Sequence, residues 1–237
     1  MQPLGIIAGT VSLRGQPLFA ELREEQVDTD FGPATIFRSH KIVFIARHSK
    51  GDTHPRIPPH LVNHQANLAA MNSLGVQEVI GVYSTGSLKR RLKPGALVVP
   101  NDYLMPTPGP TIFTDQTVHI TPVLSEEVRR KCLQAAHECR CPVVDGGVYW
   151  QTAGPRLETK AEITMMSRFA DLVGMTMASE AIIAQELGLA FASLCSVDNY
   201  GHGLDVKGLT MEKIRWHAQR NSEKIALVLT RILKANT

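Results

Sequence analysis

Short apolar runs alternate with amphipathic stretches along this chain. Leu4–Ala8 reads as a buried strand that ends in the turn Gly9-Thr10, and Ile42–Ala46 as a second that ends at Arg47-His48. Residues 51–59 hold three prolines and a glycine and read as a loop. From Pro59 to Leu74 the pattern becomes helical, with Leu61, Leu68, Met71 and Leu74 at turn spacing and Gly75 as a stop. Glu78–Ser84 predicts a strand that opens onto Thr85-Gly86-Ser87, and Lys93-Pro94-Gly95-Ala96 a turn into the strand Leu97–Pro100. Ser125 before two glutamates predicts a helix N-terminus, with the helix running to about Cys139. Gly147–Thr152 is a predicted strand. Thr159 with Glu162 three residues on forms a capping box for a helix to Phe169. A strand Leu172–Met175, a helix Ala178–Leu187 with Ser179 near its cap, a buried strand Ala190–Val197 and a long helix Thr210–Leu233 complete the reading. Strands alternating with helices without a linker or repeat predict one α/β domain over residues 1–237. Its central sheet is parallel or mixed and flanked by helices, with sites where strand ends meet helix starts.

Composition narrows the class. The 237 residues are 43% hydrophobic and 20% charged, which suits an ordinary globular protein with a substantial core. A net charge of +3, with dispersed basic residues, argues against nucleic acid and leaves room for a local anion pocket. No apolar run reaches the roughly 20 residues needed to span a bilayer, and the first residues have neither a basic segment nor a long apolar one. Cys132, Cys139, Cys141 and Cys195 form no metal-binding spacing and read as free thiols of a reducing cytoplasm. His60 and His64 have the i,i+4 spacing of a metal pair but lack a third ligand, so packing is the simpler reading.

The polar residues at strand ends carry the candidate chemistry. Gly9-Thr10, Arg47-His48, Ser84 with its small-polar neighbours, and Thr176 are four such places. Hydroxyls and open backbone N–H groups suit phosphate, and arginine adds a rigid donor fork. Each alone is an ordinary turn or a surface ion pair; together they are more specific. Glu158 can accept hydrogen bonds from a protonated ring nitrogen, and Asn199 both donates and accepts. Taken singly, Glu158 reads as a solvated helix-start carboxylate and Asn199 as a turn residue, and Asp198 competes with Asn199 if the register slips by one.

Ala46-Arg47-His48, Pro58-Pro59-His60 with Asn63 and Ala66-Asn67, Ala153–Thr159 and Gly174–Glu180 occur in one order over about residues 5–203. In this the chain resembles the trimeric nucleoside phosphorylases, a family that includes purine nucleoside, methylthioadenosine and methylthioinosine phosphorylases. The resemblance implies a nucleoside phosphorylase-like fold and a homotrimer. It implies reversible phosphorolysis with inorganic phosphate as co-substrate and no organic cofactor or metal. It assigns Thr10, Arg47, His48, Ser84 and Thr176 to phosphate, and Leu157, Glu158 and Asn199 to the base. Met175 would lie against the ribose, and His119 would reach the 5′ group bound by a neighbouring subunit. Asn199, Glu158 and His48 would carry catalysis. Glu158 and Asn199 are the residues expected for a 6-oxopurine: inosine, guanosine or 5′-methylthioinosine. Departures from the family pattern are Ala8, Tyr83, Ala153 and Ser179, with Tyr83 placed to crowd the phosphate or base. They leave two alternatives: a methylthioadenosine phosphorylase, which Glu158 and Asn199 disfavour, or a nucleoside-binding protein with impaired catalysis.

Overall fold

A continuous apolar run such as Leu4–Ala8 (β1) can be buried on both faces only inside a sheet covered on both sides. In the computed structural model, which describes residues 2–9, 13, 16–49, 56–205 and 210–235, that is where it lies. Ile6 joins one core and Ile7, its neighbour, the other. The strands are β2 (Arg23–Val27), β3 (Ala34–Arg38), β4 (Ile42–Ala46), β5 (Glu78–Ser87), β6 (Leu97–Val99), β7 (Asp102–Leu104), β8 (Val143–Asp145), β9 (Val148–Gln151), β10 (Leu172–Gly174) and β11 (Ala190–Tyr200). The helices are α1 (His64–Ser73), α2 (Glu126–Glu138), α3 (Lys160–Met166), α4 (Met177–Glu186) and α5 (Met211–Ala235). All these strands join one mixed sheet with the path β2-β3-β4-β1-β5-β10-β9-β7, while β11 pairs with β5 and β6, and β8 extends from β6.

Two cores sandwich the sheet. On one face Ile6, Ile80, Val82 and Leu194 meet Val128 and Cys132 of α2 and Ile225 and Leu229 of α5. On the other, Ile45, Val79, Cys195 and Val197 share a core with Leu68 and Met71 of α1 and Ile183 and Ala184 of α4. α3 closes a smaller cluster through Ile163 and Met166 against Leu88 and Val173.

Strand β5 is where the topology matters most. β11 pairs parallel with it along its whole length, from Glu78 to Ser87. On the other edge β1 pairs parallel with Val79–Val82, and β10 pairs antiparallel with Gly86 and Ser87. Tyr83, Ser84 and Thr85 therefore have no strand partner on that edge among the described residues. The sheet splits there, and a split in an α/β sheet leaves a crevice with open backbone groups.

Several expectations needed adjustment. The helical pattern from Pro59 is a single 3-10 turn, Pro59–Leu61, followed by a helix that starts only at His64, with the Asn63 side chain accepting from Ala66 N at 3.0 Å. Ser179 lies inside α4, whose N-cap residue is Thr176. The Thr159–Glu162 capping box is present.

Candidate active site at the split of the sheet

Arg47 follows the last residue of β4 and reaches across the end of β1 to the open edge of β5. Its Nη1 donates to Val82 O at 3.3 Å and its Nη2 to Ile7 O at 3.5 Å. Glu180, in the first turn of α4, takes the rest of the fork: Nη2 donates to Oε2 at 2.8 Å and Nε to Oε1. Tyr83 donates its hydroxyl to the same carboxylate, and its ring lies 4.4 Å from the guanidinium carbon. His64 Nδ1 sits 3.4 Å from Glu180 Oε1 without the alignment of a hydrogen bond. Arg47 and Glu180 are buried to 2% and 0% exposure, so each charge depends on the other. Burial alone would raise the Glu180 carboxyl; Arg47 overrides it and holds the group down at about 2. Burial would lower Arg47, and Glu180 reverses that. Burial and the Glu180 charge keep the Tyr83 phenol protonated well above its ordinary range.

Gly9 is what lets this corner close. A Cβ there would lie 2.6 Å from Arg47 Nη1 and 3.0 Å from His48 Nε2, so only glycine admits both groups. His48 Nδ1 lies 2.8 Å from Ile57 O and must carry the proton to donate to it, which leaves a lone pair on Nε2. Burial and the Arg47 charge push the imidazole down to about 4, so it is neutral at pH 7. His48 also borders a cavity of about 510 Å³ shared with Arg56, Met211 and Arg215.

A second cavity, of about 600 Å³, opens between the end of β11, the turn before α3 and the start of α5. Leu157, Glu158, Asp198 and Asn199 line it, with Met211 and His217 from α5; Met211 belongs to both cavities. Glu158 is buried and accepts from Thr152 Oγ1 at 2.8 Å. Asn199 Nδ2 donates to Tyr200 O at 2.8 Å, which fixes the amide and leaves its second N–H and Oδ1 to serve a ligand. Asp198 accepts from Ser196 Oγ, 2.9 Å from both carboxylate oxygens, and from Asn221 Nδ2 of α5 at 3.1 Å. Burial pushes its carboxyl up to about 6, against hydrogen bonds from Ser84, Ser196 and Asn221 that pull it down. Beside the cavity, the half-exposed Trp216 ring meets His217 edge-on at 4.7 Å.

The Phosphorylase superfamily profile matches residues 3–234, nearly the whole chain. The chain belongs to the phosphorylase superfamily. A probable 6-oxopurine nucleoside phosphorylase of Archaeoglobus fulgidus is 40% identical over 236 residues, covering 98% of this chain and 96% of the relative. A probable S-methyl-5′-thioinosine phosphorylase of Methanothermobacter thermautotrophicus is 38% identical, covering 89% and 76%. Among solved structures, a methylthioadenosine phosphorylase from Schistosoma mansoni in complex with adenine superposes with a TM-score of 0.88 at 25% identity, covering 99% and 91%.

In this member of the superfamily the expected site residues fall into two neighbouring groups. Arg47 and His48 meet beside Gly9, while Leu157, Glu158 and Asn199 line the larger of the two cavities. Ser84 lies between the two, on the open edge of β5 and paired with Ser196 of β11, two residues before Asp198. Thr176 is buried at the start of α4, its N–H 3.4 Å from the Tyr149 hydroxyl, and Tyr149 packs edge-on against Tyr83. Met175 packs on the Gly154 turn, where a Cβ would come within 2.5 Å of its sulfur. His119 is exposed and lines neither cavity of the single chain. Thr10 lies outside the described residues. Tyr83 does not crowd either cavity; its ring is buried under Arg47. Of the other departures, Ser179 is bonded by Gln151 Nε2 at 2.6 Å, Ala8 is buried in β1 and Ala153 is exposed. Sequence reasoning missed Glu180 as the partner of Arg47, and it missed the face of α5. An acidic residue in a first helical turn, and polar residues at a helix start, carry no signal of their own. No group of three metal-ligating side chains occurs among the described residues, and no helix there is long and apolar enough to cross a membrane.

Proposed function

We propose that the protein catalyses reversible phosphorolysis of a 6-oxopurine nucleoside, with inosine, guanosine and 5′-methylthioinosine as candidate substrates. The observation that carries this reading is the cavity in which Glu158 and Asn199 stand together. A carboxylate accepts from N1–H of an oxopurine, and the free N–H of Asn199 donates to O6 or N7. Adenine would set the lone pair of its N1 against Glu158. The names of the relatives in Archaeoglobus and Methanothermobacter support the same base class. Phosphate enters at the corner formed by Gly9, Arg47 Nη1 and His48 Nε2, next to Thr176 and the unpaired edge at Ser84; Thr10, which the resemblance assigns to phosphate, lies outside the described residues. The remaining proton of a phosphate dianion donates to His48 Nε2, while Arg47 donates to its oxygens. As the C–N bond loosens, the phosphate charge stabilises the oxocarbenium-like ribose lying on Met175, and Asn199 and Glu158 stabilise the leaving base. Phosphate is a co-substrate, and the reaction needs no organic cofactor or metal.

The assembly belongs to the same proposal. His119 lies on a stretch with exposed Val118 and Val123, which suits a homotrimer in which that histidine reaches a neighbour's 5′ group. The setting is cytoplasmic purine salvage. Phosphate-dependent turnover of inosine, 5′-methylthioinosine and methylthioadenosine tests the function. A kcat/KM for methylthioadenosine equal to or above the other two would overturn the base assignment. A fully active monomer by light scattering would overturn the shared site.

A further inference from the structure

Strand β11 contains one irregularity, and it falls at the site. Ser196 pairs with Ser84 and Val197 with Thr85, but the next pair is Asn199 with Gly86. Asp198 is the extra residue, a β-bulge. Side chains alternate along a strand, so Cys195 and Val197 enter the core under α1 and α4 while Leu194 and Ser196 face α5. Had Asp198 kept the ladder register, Asn199 would pair with Ser87 and follow Cys195 and Val197 to the face under α1 and α4. The bulge resets the alternation. Asn199 lies over Gly86, where a Cβ would approach its Nδ2 to 3.1 Å, and both Asp198 and Asn199 line the cavity.

A bulge leaves its residue without ladder hydrogen bonds, so something else must hold it. Here that is the side chain of Asp198. It is wholly buried and accepts from Ser196 two residues back and from Asn221 on α5. Asn221 is oriented in turn by Lys224, whose Nζ lies 3.3 Å from Asn221 Oδ1 and donates to Gly95 O at 2.9 Å.

We propose that Asp198 is the positioning residue of the base site, pinning the β11 bulge so that Asn199 faces the cavity, with Asn221 of α5 as its anchor. The inference rests on reading that cavity as the purine site. It assigns Asp198 and Asn221 no contact with the reacting atoms, and Asn221 does not line the cavity. Because α5 also supplies Met211 and His217 to the cavity, the Asp198–Asn221 bond ties the helix that walls the site to the strand that reads the base.

The test uses Asn221→Ala in the full-length protein, with hypoxanthine as the calorimetric probe and inosine and phosphate varied separately in turnover. Loss of a hydrogen bond to a buried carboxylate should weaken hypoxanthine binding and lower kcat/KM for inosine by roughly tenfold or more. The KM for phosphate should stay within about twofold, since Arg47 and His48 take no part in these bonds. Combining Asp198→Asn with Asn221→Asp reverses the donor and acceptor, sets the carboxylate beside Lys224, and should recover most of the loss. Wild-type hypoxanthine affinity in Asn221→Ala would overturn the proposal. So would parallel losses for inosine and phosphate that the exchanged pair does not rescue. Should Asn221→Ala fail to fold, Ser196→Ala removes another donor to Asp198 under the same criteria. A wild-type protein that binds no hypoxanthine would instead sink the purine reading of the cavity.

Discussion

Arg47 and Glu180 form a buried ion pair whose members cannot be removed singly without leaving a charge in the core. Glu180→Gln should therefore cost roughly 3–5 kcal/mol of stability, measured by denaturant unfolding; a loss below about 1 kcal/mol would show that the pair is not the buried one described. The carboxyl is held below its unfolded value, so its contribution is complete above about pH 4.5 and is lost as pH falls toward about 2. Arg47→Ala would strand Glu180 in the same way, so Arg47→Lys is the cleaner probe of phosphate binding. His48 gives a second prediction. Its folded value near 4 lies below the ordinary 6.5, so stability is complete above 6.5 and falls as pH drops through that window. An NMR titration should find the His48 imidazole neutral down to about pH 5 in the free protein. A midpoint at 6.5 or above would contradict the buried, Arg47-facing position.

The turn before α3 shows how a local element sets a functional side chain. Thr159 Oγ1 accepts from Glu162 N at 3.2 Å, the Glu162 carboxylate accepts in return from Thr159 N at 2.7 Å, and Arg156 forks onto the Glu162 carboxylate. Glu158 directly precedes this box. Thr159→Ala should cost about 1 kcal/mol and raise the nucleoside KM more than the phosphate KM; equal changes in both would detach the cap from the base site. This element was legible from Thr159 and Glu162 alone, because a capping box is a local pattern. So were β1, β4 and β11, whose apolar runs end at Gly9, Arg47 and the Asp198-Asn199 pair. The hairpin β2–β3 was not, since Arg-Glu-Glu-Gln-Val shows no apolar alternation and lies at the edge of the sheet. β7 and β8 are three-residue strands defined by their partners. The bulge at Asp198 was equally hidden. A change of register exists only relative to a neighbouring strand, and the sequence of β11 alone does not contain Gly86.

At the scale of the molecule, the site exists because β5 changes partners. β1 ends and β10 begins on one edge of it, and the groups that fill the break come from strands far apart in sequence. That explains why the residues proposed for phosphate and for the base form two adjoining groups rather than one cluster. α5 crosses behind both, packing through Ile225 and Leu229 against the sheet while its first turns wall the cavities. Its neighbouring pair Trp216 and His217 has a practical consequence. His217 lines the cavity proposed for the base, and Trp216 lies edge-on to it, with the Arg220 guanidinium 4.7 Å from the indole centroid. The chain has one other tryptophan, Trp150, so Trp150→Phe leaves a single emitter. A base that settles against His217 alters the polarity and the quenching around that indole. The protein thus carries its own optical gauge of occupancy: in Trp150→Phe, emission should shift with hypoxanthine at the midpoint that calorimetry gives, and emission that ignores a calorimetrically bound base would place the base away from His217.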